Sequence, residues 1–545
     1  MDKKREMEAK RKKDASVSVA VLPSPLYHAD VDLNNRNLTF IGKPRTVFFD
    51  ALDCHITAFS LVNSSLTLVS FTIFGKSNEN IAIAEDSILN LTDCNITLKA
   101  LINSLLYGWR SQLILQKTRM NDAISFSSLI EGSPDARDPQ MSLIVDDCFF
   151  ENIVIKAQIP FLAGLDVQNV TVLNSRFRHI TCTEQGQLPT YQDYDYGNRS
   201  VVMKSSHVWE VEGALSGGLV YGVQARYLTL EDMWWNHGTN AVRFSGIAAF
   251  SDDIDVNIVN SKFEDKTASE FWPNGGFLDL PHNTANINIS NTTICGSSAP
   301  SGDGGFINLR GRSTIMINDS RVEDTYAGKC GGFVYAASPV DTVTLDHLSV
   351  RGSHAVADGG LLYLDSVPSF QALHCNITEC HASKQGGAVF FNNSDNSTIN
   401  FTLSSFWYCS AASGLGEDVL LSYQYVSNYN VSKKNFIKCT SDNTRNKVTF
   451  LPRVVHAEWT NSGWKASGSV ITGISVGVSV LIAACVFLIC LCCCCGCCVT
   501  CGCGRKKANA YQHVESQQTA SFVPAKLSSD DYAQQQMGVS LCINN

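Results

Sequence analysis

The sequence predicts an all-β fold, a right-handed parallel β-helix of about fourteen coils, followed by one C-terminal transmembrane α-helix. Three observations predict it. Double glycines recur at a fixed period, apolar residues alternate in front of each of them, and a long uncharged stretch follows near the C-terminus.

Glycine pairs stand at Gly275 and Gly276, Gly304 and Gly305, Gly331 and Gly332, Gly359 and Gly360, and Gly386 and Gly387, so they recur every 27 to 29 residues. Gly217 and Gly218 lie two such periods earlier. A period of this size marks a repeat architecture. About nine residues before each pair sits an apolar anchor, Ile294, Val322, Val350 or Ile377. Seven and five residues before those anchors stand Ile287 and Ile289, Ile315 and Ile317, Val343 and Leu345, and Phe370 and Ala372. An i, i+2 pattern turns both side chains to one face of a strand, whereas a helix needs i, i+3 or i+4. Each unit therefore reads strand, bend, strand, double-glycine turn, strand. The template also fits segments without the glycines: Leu66, Leu68 and Ile73; Leu89, Leu91 and Ile96; Leu143, Val145 and Phe150; Val170, Val172 and Phe177; Ile399, Phe401 and Phe406. The repeat thus runs from roughly residue 45 to 450.

One unit offers too little apolar area to offset the entropy of ordering it, but stacked copies share a core. Parallel strands about 4.8 Å apart would set Ile289, Ile317, Leu345, Ala372 and Phe401 in one interior column and give a rod on the order of 65 Å long. Glycine serves at the tight corners because it takes φ > 0 freely, and the hand follows from that of parallel crossovers. A sandwich or propeller is the alternative. Its hairpin signals are scarce, "PNGGF" at Pro273 being the exception. Residues 182–211, rich in Tyr and Asp, break the rhythm and read as a loop inserted between coils, where recognition tends to reside, or as a plain solvated excursion.

The expected organisation is an N-terminal segment (1–40), the β-helix (41–455), a juxtamembrane linker (456–469), the span (470–499) with a Cys-rich end to 504, and a disordered polar tail (505–545). Residues 470–499 carry no charge and are long enough to cross the bilayer. Trp459 and Trp464 precede them as interfacial anchors, and Arg505, Lys506 and Lys507 close them, which puts the tail in the cytoplasm and the β-helix outside the plasma membrane. The N-terminal "MDKKREMEAKRKKDASVSVAVLPSPL" is a poor signal peptide, because its apolar part, Val17 to Leu22, is short and stopped by Pro23. An atypical or misassigned start is the expectation.

Cys492, Cys493, Cys494, Cys495, Cys497, Cys498, Cys501 and Cys503 stand where a helix would meet the inner leaflet, and are candidates for palmitoylation. Zinc is the competing reading, and a lipid-facing run of thiols does not supply its geometry. In the repeat, Cys54, Cys94, Cys148 and Cys375 stand two residues before the anchor, and Cys380, Cys409 and Cys439 three after it. Bridges between neighbouring coils are expected only where geometry allows, with no connectivity assigned; buried free thiols are the alternative. Fourteen glycosylation sequons precede the span and none follows it: Asn37, Asn63, Asn90, Asn95, Asn169, Asn198, Asn288, Asn291, Asn318, Asn376, Asn392, Asn396, Asn400 and Asn430. Tyr511 and Val514 in "YQHV" resemble a tyrosine-based sorting signal, a candidate for engaging an endocytic adaptor.

A net charge of −9 gives no reason to expect nucleic acid. Parallel β-helices of the pectin-lyase-like kind include many polysaccharide lyases and hydrolases, which need carboxylates brought together on the outer face. The best candidates are Asp252, Asp253 and Asp255. Where Asp255 stands, the next coils would carry Asn286, Thr314, Thr342, Ser369 and Thr398; where Asp253 stands, Thr284, Arg312 and Val340. No second carboxylate column forms, and "WNHGTN" at Trp235 offers a histidine without a partner, so no catalytic residue, metal or cofactor is assigned. Outward positions such as Asn257, Asn288, Thr344 and Asn400 form a polar sheet instead. The reading is a displayed single-pass rod for adhesion or antigenic display, the alternative being a membrane-anchored polysaccharide-active enzyme.

Double-glycine motifs such as "GGAV" at Gly386, alternating with Phe-x-x-Asn motifs such as "FFEN" at Phe149, resemble the repeats of the chlamydial polymorphic outer membrane proteins over about residues 140 to 410. The Asn position is often replaced, as by Cys409, Thr325 and Ser353. Where that family carries an autotransporter barrel, this chain has a helical span with a Cys-rich end, similar to the repeat surface proteins of protist parasites of the trichomonad kind. The resemblance implies β-helical adhesins and surface antigens, with a host-cell, matrix or glycan ligand.

Overall fold

A computed structural model describes residues 18–466 apart from segments between strands, of which the longer are 49–58, 183–198, 244–253 and 423–435. The chain divides into two units, residues 1–470 and 471–545, and every described residue lies in the first. The expected span, its cysteines and the tail lie outside the described residues, among which no helix is long and apolar enough to cross a membrane.

The described unit is an all-β parallel solenoid with three walls. The first wall is a sheet of sixteen strands running from Ser18–Leu22 to Phe436–Ile437. All its pairings are parallel, each strand bonded to the corresponding strand of the coils on either side. The predicted interior column is present: Ile289 pairs with Ile317, Ile317 with Leu345, Leu345 with Ala372 and Ala372 with Phe401. All five are buried, and so are the template pairs and anchors in the coils without glycines. Outward residues alternate with them, and Asn288 Nδ2 donates to Asn257 Oδ1 of the previous coil at 2.8 Å.

The corners are turned by two different devices. At the corner before the third wall, Gly275, Gly304, Gly331, Gly359 and Gly386 all have φ between +59° and +69°. Their partners do not use that freedom. A Cβ on Gly305, Gly332, Gly360 or Gly387 would lie 1.9–2.0 Å from a backbone oxygen of the next coil, so the second glycine is there for close stacking. Gly217 and Gly218 lie outside the described residues. At the corner between the first and second walls the left-handed residues are not glycines, and Gly42, which stands there in an early coil, is not left-handed. The place is taken mostly by Asp93, Asn174, Ser205, Asp232, Asn260, Asn291, Asp319, His347 and His374, residue types that tolerate it, and in other coils by Lys117, Leu403 and Lys438.

Three sequence boundaries and one register need correction. The ladder begins before residue 41, since Ser18–Leu22 pairs in parallel with Asn37–Gly42. The supposed insertion 182–211 is shorter, because Arg199–Lys204 and His207–Gly213 are first- and second-wall strands with Val201, Met203 and Val208 buried on the template spacing. The supposed linker holds two strands, Val455–Thr460 and Gly463–Ala466, that close the third wall with antiparallel pairings, Trp459 opposite Trp464. Val340 pairs with Ser313 and not with Arg312, because the first wall has a bulge between Ser313 and Thr314.

Candidate functional site

On the second wall, the strand period of two buries Phe150, Phe177, Val208, Trp235 and Phe263 and turns their neighbours outward. Stacking the coils then puts Arg119, Phe149, Arg176, His207, Trp234 and Lys262 in one outward column, each paired in register with the next. Three cations and three rings share it over about 24 Å at the strand spacing, with His207 and Trp234 adjacent between Arg176 and Lys262. The Arg119 guanidinium lies 5.2 Å from the Phe149 ring, the His207 ring 5.4 Å from that of Trp234, and Lys262 Nζ 5.9 Å from the same indole. A second column, Glu151, Arg178, Trp209, Asn236 and Glu264, runs beside it. Trp209 meets His207 and Trp234 edge-on at 5.3 and 5.5 Å. The three rings make one edge-to-face aromatic cluster, with Trp234 37% exposed.

Its charges are unevenly matched. Arg178 pairs with Glu151 at 3.3 Å, and Lys262 with Glu264 at 2.6 Å. Burial alone would raise the Glu264 carboxyl, but hydrogen bonds from Lys262 and from Trp234 Nε1, with the lysine charge, hold it below the usual carboxylate range. Arg119 and Arg176 pair with no carboxylate among the described residues. Partial burial, then the Arg176 charge, pushes the His207 imidazole down, which favours its neutral form. What remains is a cationic strip with aromatic faces, suited to stacking on flat apolar surfaces and holding anions.

No family model and no curated protein matches the chain. Among solved structures it is similar to alginate lyase AlyF-OU02 in complex with G6, at 10% identity and a TM-score of 0.26, covering 85% of this chain and 89% of that one. A likeness that weak carries no argument about the site.

The sequence reasoning found Asp255 but not this surface. Asp255 stands between Tyr227 and Asn286 in register and accepts a 2.9 Å hydrogen bond from Asn286 Nδ2, while Asp252 and Asp253 lie outside the described residues. His237, for which no partner was legible, has its Nδ1 3.2 Å from Asp265 Oδ2. Both sit at equivalent left-handed positions one coil apart. The stripe carries no motif, and its only sequence signal is coil register. Of the sequons, Asn63, Asn95, Asn169, Asn291 and Asn376 are exposed; Asn37, Asn90, Asn288, Asn318, Asn392 and Asn400 are half-buried; Asn198, Asn396 and Asn430 lie outside the described residues.

The described cysteines are free thiols. Cys94, Cys148 and Cys375 occupy the buried corner position taken elsewhere by Ser175, Ser206, Ser261, Ser320 and Ser404, and each donates to the carbonyl two residues before it. Burial pushes the Cys148 thiol up to about 12 and the Cys375 thiol up to about 11. Alkylation of the native protein at pH 8 is therefore expected to leave both unmodified and to label them only after unfolding, read by peptide mass spectrometry. Cys375→Ser should shift stability by less than about 1 kcal/mol, because serine already fills this corner in five other coils.

Proposed function

We propose that the chain is a cell-surface recognition protein, a parallel β-solenoid that binds an anionic glycan along the second wall and does not cleave it. The observation that carries this reading is one register column in which the cations Arg119, Arg176 and Lys262 stand beside the rings of Phe149, His207 and Trp234. Sugar rings present apolar faces that stack on indole, and carboxylate or sulfate groups at regular intervals would meet the cations. The uncharged stretch 470–499, followed by Arg505, Lys506 and Lys507, supports anchorage with the solenoid outside, and the sequons in that part agree. Thioacylation at Cys492 to Cys503 and sorting through Tyr511 belong to the same reading.

The test is binding of the full-length protein to uronic-acid and sulfated oligosaccharides, with polymer cleavage followed in parallel. Trp234→Ala and Arg176→Ala are each expected to weaken binding at least about tenfold, and added salt to weaken it further. Binding indifferent to both substitutions, or release of cleaved sugar, would overturn the proposal. Labelling of intact cells with a membrane-impermeant reagent should reach residues 18–466 and not the tail.

A further inference from the structure

Two coils bring one carboxylate and two imidazoles together at the corner between the first and second walls. Asp346 ends the strand Val340–Asp346, His347 follows it, and His374 holds the same place one coil later. Both histidines are left-handed, with φ of 50° and 52°, and their amides are fixed to the next coil, His347 N–H donating to Leu373 O and His374 N–H to Thr402 O, each at 3.0 Å. The imidazoles stack 4.6 Å apart at 14°. Both turn Nδ1 toward the same carboxylate oxygen, Asp346 Oδ1, at 2.8 Å from His347 and 3.7 Å from His374. One ligand atom from each of the three lies within 4.8 Å of the others. Asp346 Oδ1 is shut off from solvent, yet no donor is aligned on it for a hydrogen bond. Two nitrogens crowd a carboxylate oxygen without either making a linear bond to it. Ligand atoms around an ion with bonds of about 2.0–2.2 Å sit roughly 3–3.5 Å apart, and the two observed separations straddle that value.

We propose that Asp346, His347 and His374 bind a divalent transition-metal ion of the zinc, nickel or copper kind. Two imidazoles and one carboxylate favour such ions over calcium or magnesium, which take oxygen ligands. The histidines are about half exposed, so the remaining coordination positions face solvent and can take water or a donor from a partner. The site is independent of the aromatic stripe, which lies on other coils.

The experiment uses the full-length protein with its accessible thiols capped by N-ethylmaleimide, so that the cysteines of residues 485–503 do not compete. Zinc is titrated against a chromophoric chelator, and cobalt substitution is followed optically, where a nitrogen and oxygen set gives d–d bands without thiolate charge transfer. One equivalent is expected to bind. His347→Asn and His374→Asn should each weaken binding more than about tenfold, and Asp346→Asn likewise. Asparagine keeps the backbone, since Asn260 and Asn291 hold the same left-handed place in earlier coils, and an unchanged circular dichroism spectrum verifies this. Absence of zinc, nickel and copper binding by the capped protein would overturn the proposal. So would binding of undiminished affinity in both histidine variants, or a thiolate spectrum.

Discussion

Replacing Lys266 by methionine is expected to stabilise the protein by about 2–4 kcal/mol at pH 7, and by progressively less as the pH is raised toward 10.5. Lys266 points into the core of the solenoid and is 1% exposed. Its Nζ has no hydrogen-bond partner, lies 5.9 Å from the Trp235 ring, and shares that stretch of interior with an indole Nε1 that also lacks an acceptor. Desolvation pulls its pKa down to about 7 against the opposing pull of Asp265 and Glu264. Between about pH 7 and 10.5 the unfolded chain holds this proton and the folded chain does not, so the lysine makes stability rise with pH through that window. Below it, the full penalty of a buried ammonium is present. Methionine keeps the length and the volume without the charge. Urea unfolding of the two proteins at several pH values checks this. Stability curves that stay parallel from pH 7 to 10.5 would show that Lys266 is already charged and solvated in the folded protein.

Lys266 shows where reading the sequence succeeds and where it stops. It stands three residues after the anchor Phe263, the position held by Ser297, Thr325, Ser353, Cys380 and Cys409 in the following coils. The anchors themselves were legible because burying an apolar side chain is favourable wherever the coil is cut, so Ile289, Ile317 and Leu345 recur at one spacing. The small polar residues three after the anchor were placed on the repeat, but their role was not legible, because it depends on a neighbour. Ser297 Oγ donates to Gly305 O and Ser353 Oγ to Gly360 O, bonds that tie the second wall to the glycine corner and exist only once the coil is closed. The left-handed asparagines and aspartates were missed for a related reason, since these residue types are equally common on exposed strand faces. The stripe and the Asp346, His347 and His374 cluster are assembled from single residues some 27 to 31 positions apart, at spacings blurred by loops of varying length. Register resolves them; composition does not.

The largest loss of stability is expected at a glycine whose backbone angles any residue could adopt. In Gly332→Ala the new Cβ would lie 2.0 Å from Gly360 O, 2.7 Å from His354 O and 2.8 Å from Ser353 Oγ. Two of these are backbone atoms of the next coil, held by the ladder through Gly332 N–H to Gly359 O at 3.2 Å and Phe333 N–H to Leu361 O at 2.9 Å. Relief requires the two coils to part, which breaks that ladder, including Val334 N–H to Leu361 O at 3.2 Å. A cost of about 3 kcal/mol or more follows. Gly352→Asn is the contrasting case, and there the obvious guess from φ is the wrong one. Gly352 is left-handed at +70°, but the same position holds Asp324 at 49° and Glu379 at 55° in the adjacent coils, and asparagine accepts it. The nearest obstacle to its Cβ is Asp324 Oδ1 at 2.4 Å, the free end of a side chain that can swing away. Gly352→Asn should therefore cost less than about 1 kcal/mol. Urea midpoints for the two variants decide it: if Gly352→Asn proves the more damaging, backbone conformation and not inter-coil contact governs how this solenoid uses glycine.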